Sequence, residues 1–169
     1  MTAKILVVDD DVTTLEIYQS CLTDNNYLVE TAISGEKAIE YLKTNKVDLI
    51  MLDLMMPGIN GFKTCRLIKN IEGHHATPII IVSGKTDVFD KIIGFEVGAV
   101  DYLSKPIQFG ELISRVVIHL RLAAQKQKLL KRIDELHNLL GDMQNTKLIN
   151  KQEQTIAQLQ AKLSVYESK

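Results

Sequence analysis

Five short apolar runs, each followed by a segment of helical period, succeed one another along the first two-thirds of this chain. The runs are residues 4–8, 27–32, 47–53, 78–84 and 100–105. Continuous apolar stretches of this length suit strands buried on both faces, as in parallel sheets. Between them, Leu15, Ile17, Tyr18, Cys21 and Leu22 recur at helical spacing until Asn25-Asn26 breaks the pattern. Ser34 is placed to cap a helix through Leu42 whose inward face carries Ala38, Ile39 and Leu42. Residues 61–69 and 88–97 repeat the helical period, and a fifth helix opens near Phe109. Strands alternating with helices across short turns predict a parallel sheet covered on both faces. Right-handed crossovers leave a doubly wound α/β fold as the simplest topology.

Beyond Gly110 no strand signal returns. The last helix is expected to run on into a coiled coil, because Leu129, Ile133, Leu136, Leu140 and Met143 step by four and three residues. Ile149, Ile156, Leu159, Leu163 and Tyr166 form a second seam out of register with the first. Gly141-Asp142 and Asn145-Thr146 lie between them, predicting an interruption near 141–147. Either a stuttered coil or a turn into an antiparallel hairpin fits. The expected organisation is a domain over 1–121 and a coiled-coil helical extension over 122–169.

Charge separates the same two parts. Residues 1–109 carry 10 basic and 15 acidic side chains, whereas 110–169 carry 10 basic and 6 acidic, within a whole-chain charge of −1. A small basic excess spread over sixty residues argues against nucleic acid as a partner. No uncharged run approaches a membrane span and no signal-peptide pattern opens the chain, so a cytoplasmic protein away from membranes is expected. The two cysteines, Cys21 and Cys65, show no metal spacing and read as reduced, half-buried thiols.

Ligands of open parallel sheets bind at the carboxyl ends of the strands. There the first strand delivers Asp9, Asp10 and Asp11, the third Asp53, the fourth Ser83, and the fifth Lys105 followed by Pro106. In the flavodoxin-like order 2-1-3-4-5, strands one and three are neighbours, so carboxylates meet at the switch point. Two like charges about 4 Å apart repel by about 4 kcal/mol near a protein surface, so such a cluster needs a cation or open water. Carboxylates without nearby His or Cys are hard oxygen ligands suited to Mg²⁺ or Mn²⁺. A lysine charge and a serine hydroxyl can hold a phosphate oxygen. A carboxylate can also be the nucleophile that forms an acyl phosphate, and Asp53, alone at the centre of the edge, is the candidate. There is no P-loop pattern.

The segments ILVVDDD, DLIMLDLMMPGINGF, PIIIVSG and GAVDYLSKP, in this order and spacing, resemble the receiver domains of two-component response regulators over roughly residues 3–121. The resemblance implies that Asp53 accepts a phosphoryl group from a histidine kinase or phosphotransfer protein. It implies that Asp9, Asp10, Asp53 and the backbone carbonyl of Met55 hold Mg²⁺, or Mn²⁺ in its place. Ser83 matches the switch hydroxyl, Tyr102 the aromatic that follows it, and Lys105 the phosphoryl partner, with a Lys105–Pro106 bond that is commonly cis.

The expected function is a phosphorylation-dependent switch that changes homodimerisation or docking of a downstream protein through the coil, with self-catalysed phosphoryl transfer and dephosphorylation but no separate enzyme domain. Two alternatives are the front portion of a larger signalling enzyme, such as a diguanylate cyclase or hybrid kinase, and a phosphate sink or scaffold adaptor. Asp11 is expected to cap the first helix rather than join the site. His74-His75 reads as a solvated loop, His119 as a residue that packs or lines a dimer contact, and His137 as a surface position on the extension. Pro57, Gly58 and Gly61 are expected to shape the loop after Asp53.

Overall fold

The structure, a computed structural model, describes residues 2–85 and 87–167, with the side chains of 142–145 and 159–167 outside the description. The elements are β1 (Lys4–Val8), α1 (Val12–Asp24), β2 (Leu28–Ala32), α2 (Gly35–Leu42), β3 (Leu49–Asp53), α3 (Gly61–Lys69), β4 (Ile79–Ser83), α4 (Val88–Glu96), β5 (Asp101–Ser104) and α5 (Phe109–Glu167). All strand pairs are parallel, in the order β2-β1-β3-β4-β5. The doubly wound, flavodoxin-like architecture is as the alternation predicts.

Every residue of β3 and β4 is buried, which explains why their sequences are continuous apolar runs rather than alternating ones. Alternate strand residues feed two cores. Leu6, Val8, Ile50, Leu52, Ile79 and Ile81 pack with Ala38, Leu42, Cys65 and Ile68 of α2 and α3. On the opposite face Ile5, Val7, Leu49, Met51, Ile80 and Val82 pack with Leu15, Tyr18 and Leu22 of α1 and with Leu112 and Val116 of α5. Each such aliphatic side chain contributes about 2 kcal/mol by leaving water. Ile17 differs from its helical neighbours, being 46% exposed on the outer face of α1.

Helix starts are capped locally. Asp11 accepts from the backbone N–H groups of Thr13 and Thr14, Ser34 from Lys37, Asn60 from Lys63 and Asp87 from Phe89. Two sequence expectations about buried side chains change. His74 is buried, not solvated: its Nε2 lies 3.0 Å from the Asn45 carbonyl oxygen and its Nδ1 3.3 Å from Thr77 Oγ1. Cys65 is fully buried rather than half-buried.

Contacts divide the chain into two units, Met1–Ala124 and Gln125–Lys169. The second is helical as far as it is described, and the backbone stays helical through 141–147, so the expected interruption does not appear. A lone glycine costs a helix interior about 1 kcal/mol, less than unmaking a turn of backbone hydrogen bonds. Leu129, Ile133, Leu136 and Leu140 are all exposed in the single chain. The seam positions Met143, Leu159, Leu163 and Tyr166 lie outside the described side chains. Among the described residues, no helix is long and apolar enough to cross a membrane.

Candidate functional site

The register of the sheet sets the site. Val8 pairs with Leu52 and Asp53 with Val82, so the residues that follow β1 and end β3 and β4 emerge at one edge. Asp9, Asp53 and Ser83 are all buried there. Lys105, just beyond β5, reaches across the edge, its Nζ 2.7 Å from Asp9 Oδ2 and 2.9 Å from Asp53 Oδ1. The ammonium therefore sits between two carboxylates that would otherwise repel. The peptide bond between Lys105 and Pro106 is cis.

The remaining carboxylate oxygens meet backbone donors. Asp9 Oδ1 accepts from Asp11 N–H at 3.0 Å, and Asp53 Oδ2 accepts from Met55 N–H at 2.6 Å. Burial raises the pKa of Asp53 above its ordinary value, as does the Asp9 charge, while Lys105 and the Met55 N–H pull it back. Burial acts to lower that of Lys105, but its bonds to Asp9 and Asp53 prevail and push it up to about 12. At neutral pH the Lys105 ammonium is thus firmly charged.

Of the sequence-predicted residues, the structure brings Asp9, Asp53 and Lys105 together and buries Ser83 at the end of β4. Asp10 is exposed, and Asp11 serves the α1 cap instead. Met55 is exposed in the loop after β3. Among the described residues, no three His, Cys, Asp or Glu side chains converge closely enough to hold a metal by themselves. The donor set nonetheless fits Mg²⁺, which keeps several waters and commonly takes only one or two carboxylates.

Two features were not read from the sequence. Lys85 links Ser83 to Tyr102: its N–H donates to Ser83 Oγ at 3.2 Å, and its carbonyl accepts from the Tyr102 hydroxyl at 2.8 Å. Burial raises the Tyr102 pKa, against a lowering contribution from the Ser83 hydroxyl. The second feature is Glu36, whose carboxylate accepts from Ile59 N–H at 3.0 Å in the loop after Asp53. Backbone partners chosen by tertiary packing leave no motif, though Glu36 one residue past a Gly-containing cap was the available hint.

This geometry can be set beside known proteins. The response regulator receiver domain family matches residues 5–117. Response regulator ArlR of Staphylococcus haemolyticus is 38% identical over 123 residues, which cover 73% of this chain and 55% of that protein. The chain thus spans about half the length of the curated relatives it matches. Among solved structures, chemotaxis protein CheY4 of Vibrio cholerae is 30% identical with a TM-score of 0.67, covering 69% of this chain and 97% of that one. The BeF3-activated DrrB receiver domain is 32% identical with a TM-score of 0.65, covering 72% of this chain and 99% of that one.

Proposed function

Because the chain belongs to the response regulator receiver domain family of two-component systems, we propose that Asp53 is its phosphoacceptor in a Mg²⁺-dependent reaction. The donor is a phosphohistidine on a histidine kinase or phosphotransfer protein. An Asp53 carboxylate oxygen attacks phosphorus in line, the O–P bond forms, the N–P bond breaks, and the departing imidazole takes a proton. The single observation that carries this reading is Lys105 bridging Asp9 and Asp53 at the carboxyl edge.

Receiver domains in general bind Mg²⁺ at their acidic pocket. Here Asp9, Asp10, Asp53 and the Met55 carbonyl are the residues to hold it, and the ion supplies charge neutralisation for the phosphoryl oxygens. Phosphorylation adds roughly 1.5 to 2 negative charges, which Lys105 is placed to meet. Ser83 exchanges its bond from the Lys85 N–H for one to the phosphoryl group, and Tyr102, tied to the Lys85 carbonyl, follows.

The output we assign is pairing of the C-terminal helix with that of a second copy, or docking of a protein partner there. The exposed Leu129, Ile133, Leu136 and Leu140 support it, since heptad-spaced apolar residues seek a facing helix. Intact-mass spectrometry after treatment with a small acyl phosphate and Mg²⁺, with sedimentation run in parallel, tests both parts. Wild type should gain one phosphoryl group, Asp53→Asn none, and the chain should sediment as a dimer. Labelling that persists in Asp53→Asn removes the acceptor assignment, and a monomer at high micromolar concentration in both states removes the dimer.

A further inference from the structure

The loop over residues 54–60 follows the phosphoacceptor and carries the Met55 carbonyl assigned above to the cation. Its base is closed twice: Gly61 N–H donates to the Leu54 carbonyl at 3.1 Å, and Met55 N–H to Asp53 Oδ2 at 2.6 Å. Its far end is held from another element, where Glu36 in the first turn of α2 receives the Ile59 N–H.

The sequence is shaped for that contact. Gly58 takes φ +81°, and a Cβ there would stand 2.7 Å from Glu36 Oε1. Gly35 lies against Ile59 and Thr64, where a side chain would collide with both, so the start of α2 sits directly on the loop. The Glu36 carboxyl is held below its ordinary pKa by its own backbone N–H, by Ile59 N–H and by the Ser34 hydroxyl, as expected of a carboxylate that accepts from all three.

We propose that Glu36 is a positioning residue for the cation site: by fixing the far end of the 54–60 loop it keeps the Met55 carbonyl available beside Asp53, and so sets divalent-cation affinity from outside the site. The inference rests on the reading of that edge as a Mg²⁺-dependent phosphoacceptor. The physical ground is that a backbone carbonyl contributes to a cation only while its loop is held in place, and such supporting contacts commonly matter as much as a ligand. A carboxylate suits the role because it accepts a backbone N–H strongly and, being at a helix start, is itself fixed by local N–H groups.

Reach and charge can be separated. Glu36→Asp keeps the charge and withdraws the acceptor by one methylene, whereas Glu36→Gln removes the charge and keeps an acceptor oxygen. Isothermal titration of the full chain with Mg²⁺ should show Glu36→Asp and Glu36→Ala binding about tenfold more weakly, with Glu36→Gln within about twofold of wild type. Glu40→Gln, one helical turn further along α2, should match wild type. Wild-type affinity in Glu36→Asp overturns the proposal, and so does Glu36→Gln weakened as much as Glu36→Ala, which would make the effect one of charge alone. Melting without Mg²⁺ is the structural control: a lowered Tm with unchanged Mg²⁺ affinity also overturns it. If Glu36→Ala does not fold, Glu36→Asp carries the test. Absence of Mg²⁺ binding in wild type would overturn the phosphoacceptor reading itself, whereas equal binding in all variants overturns only the role of Glu36.

Discussion

Strands β3 and β4 and the helix beyond residue 124 draw their apolar side chains chiefly from Leu and Ile, yet these meet opposite fates. In the sheet Leu49, Ile50, Leu52, Ile79, Ile80 and Ile81 are all fully buried by their own chain. In the extension Leu129 is 65% exposed and Leu140 56%. Hydrophobicity alone does not decide burial; the period does. A continuous run placed in a parallel sheet finds helices on both faces, whereas a heptad stripe on a single helix needs another helix. The first unit therefore buries its apolar side chains within one copy, whereas the second leaves Leu129, Ile133, Leu136 and Leu140 exposed, which is the ground for the helix pairing proposed above.

The sharpest way to break this contrast is to cut the same side chain in both regions. Leu52→Ala should cost about 3 kcal/mol, read as the urea midpoint of the first unit. Leu129→Ala should leave that midpoint within about 0.5 kcal/mol and weaken self-association instead. Histidines give a second pair. His74→Ala leaves the half-buried Asn45 carbonyl and the buried Thr77 hydroxyl without their ring partner and should cost about 2 kcal/mol. His137→Ala, on the exposed helix, should be neutral in the same denaturation curve.

Alkaline denaturation offers a smaller effect. Burial pushes the Cys65 thiol up to about 11, against a weaker lowering by Lys69. The unfolded chain, with its thiol near 9.0, then releases this proton first. Stability is whole below that value and is lost as pH rises towards 11, by about 1 kcal/mol at pH 10. Urea midpoints at pH 8 and pH 10 should show this drop in wild type and a smaller one in Cys65→Ala.

The smallest effect has the opposite sign. Because Asp53 has a raised pKa in the folded state, its ionisation at pH 7 is a net cost, absent below the unfolded pKa of 3.8 and felt as pH rises past it. Asp53→Asn should raise stability at pH 7 and lose that gain near pH 3, read as the difference in Tm from wild type at the two pH values.

Much of this was legible because its causes are local. Apolar runs placed all five strands to within one or two residues, Asp11 and Ser34 declared themselves as caps, and an Asp at each of two neighbouring strand ends marked the edge. What stayed hidden depends on distant partners. His74 is buried because Asn45, 29 residues earlier, offers it a carbonyl. The Glu36–Ile59 contact and the Lys85 bridge between Ser83 and Tyr102 run through backbone groups that every residue possesses. Gly141 and Asn145 read as breakers, but each is a weak local preference set against a long run of helical neighbours.

The central claim is chemical and has a direct test. Borohydride reduction of the chain after Mg²⁺-dependent phosphorylation converts an aspartyl phosphate to homoserine, which peptide mass spectrometry locates. The account predicts homoserine at position 53 and none when Mg²⁺ is omitted. Homoserine at Asp9 or Asp10, or phosphoryl label carried on a histidine with position 53 unmodified, would contradict it.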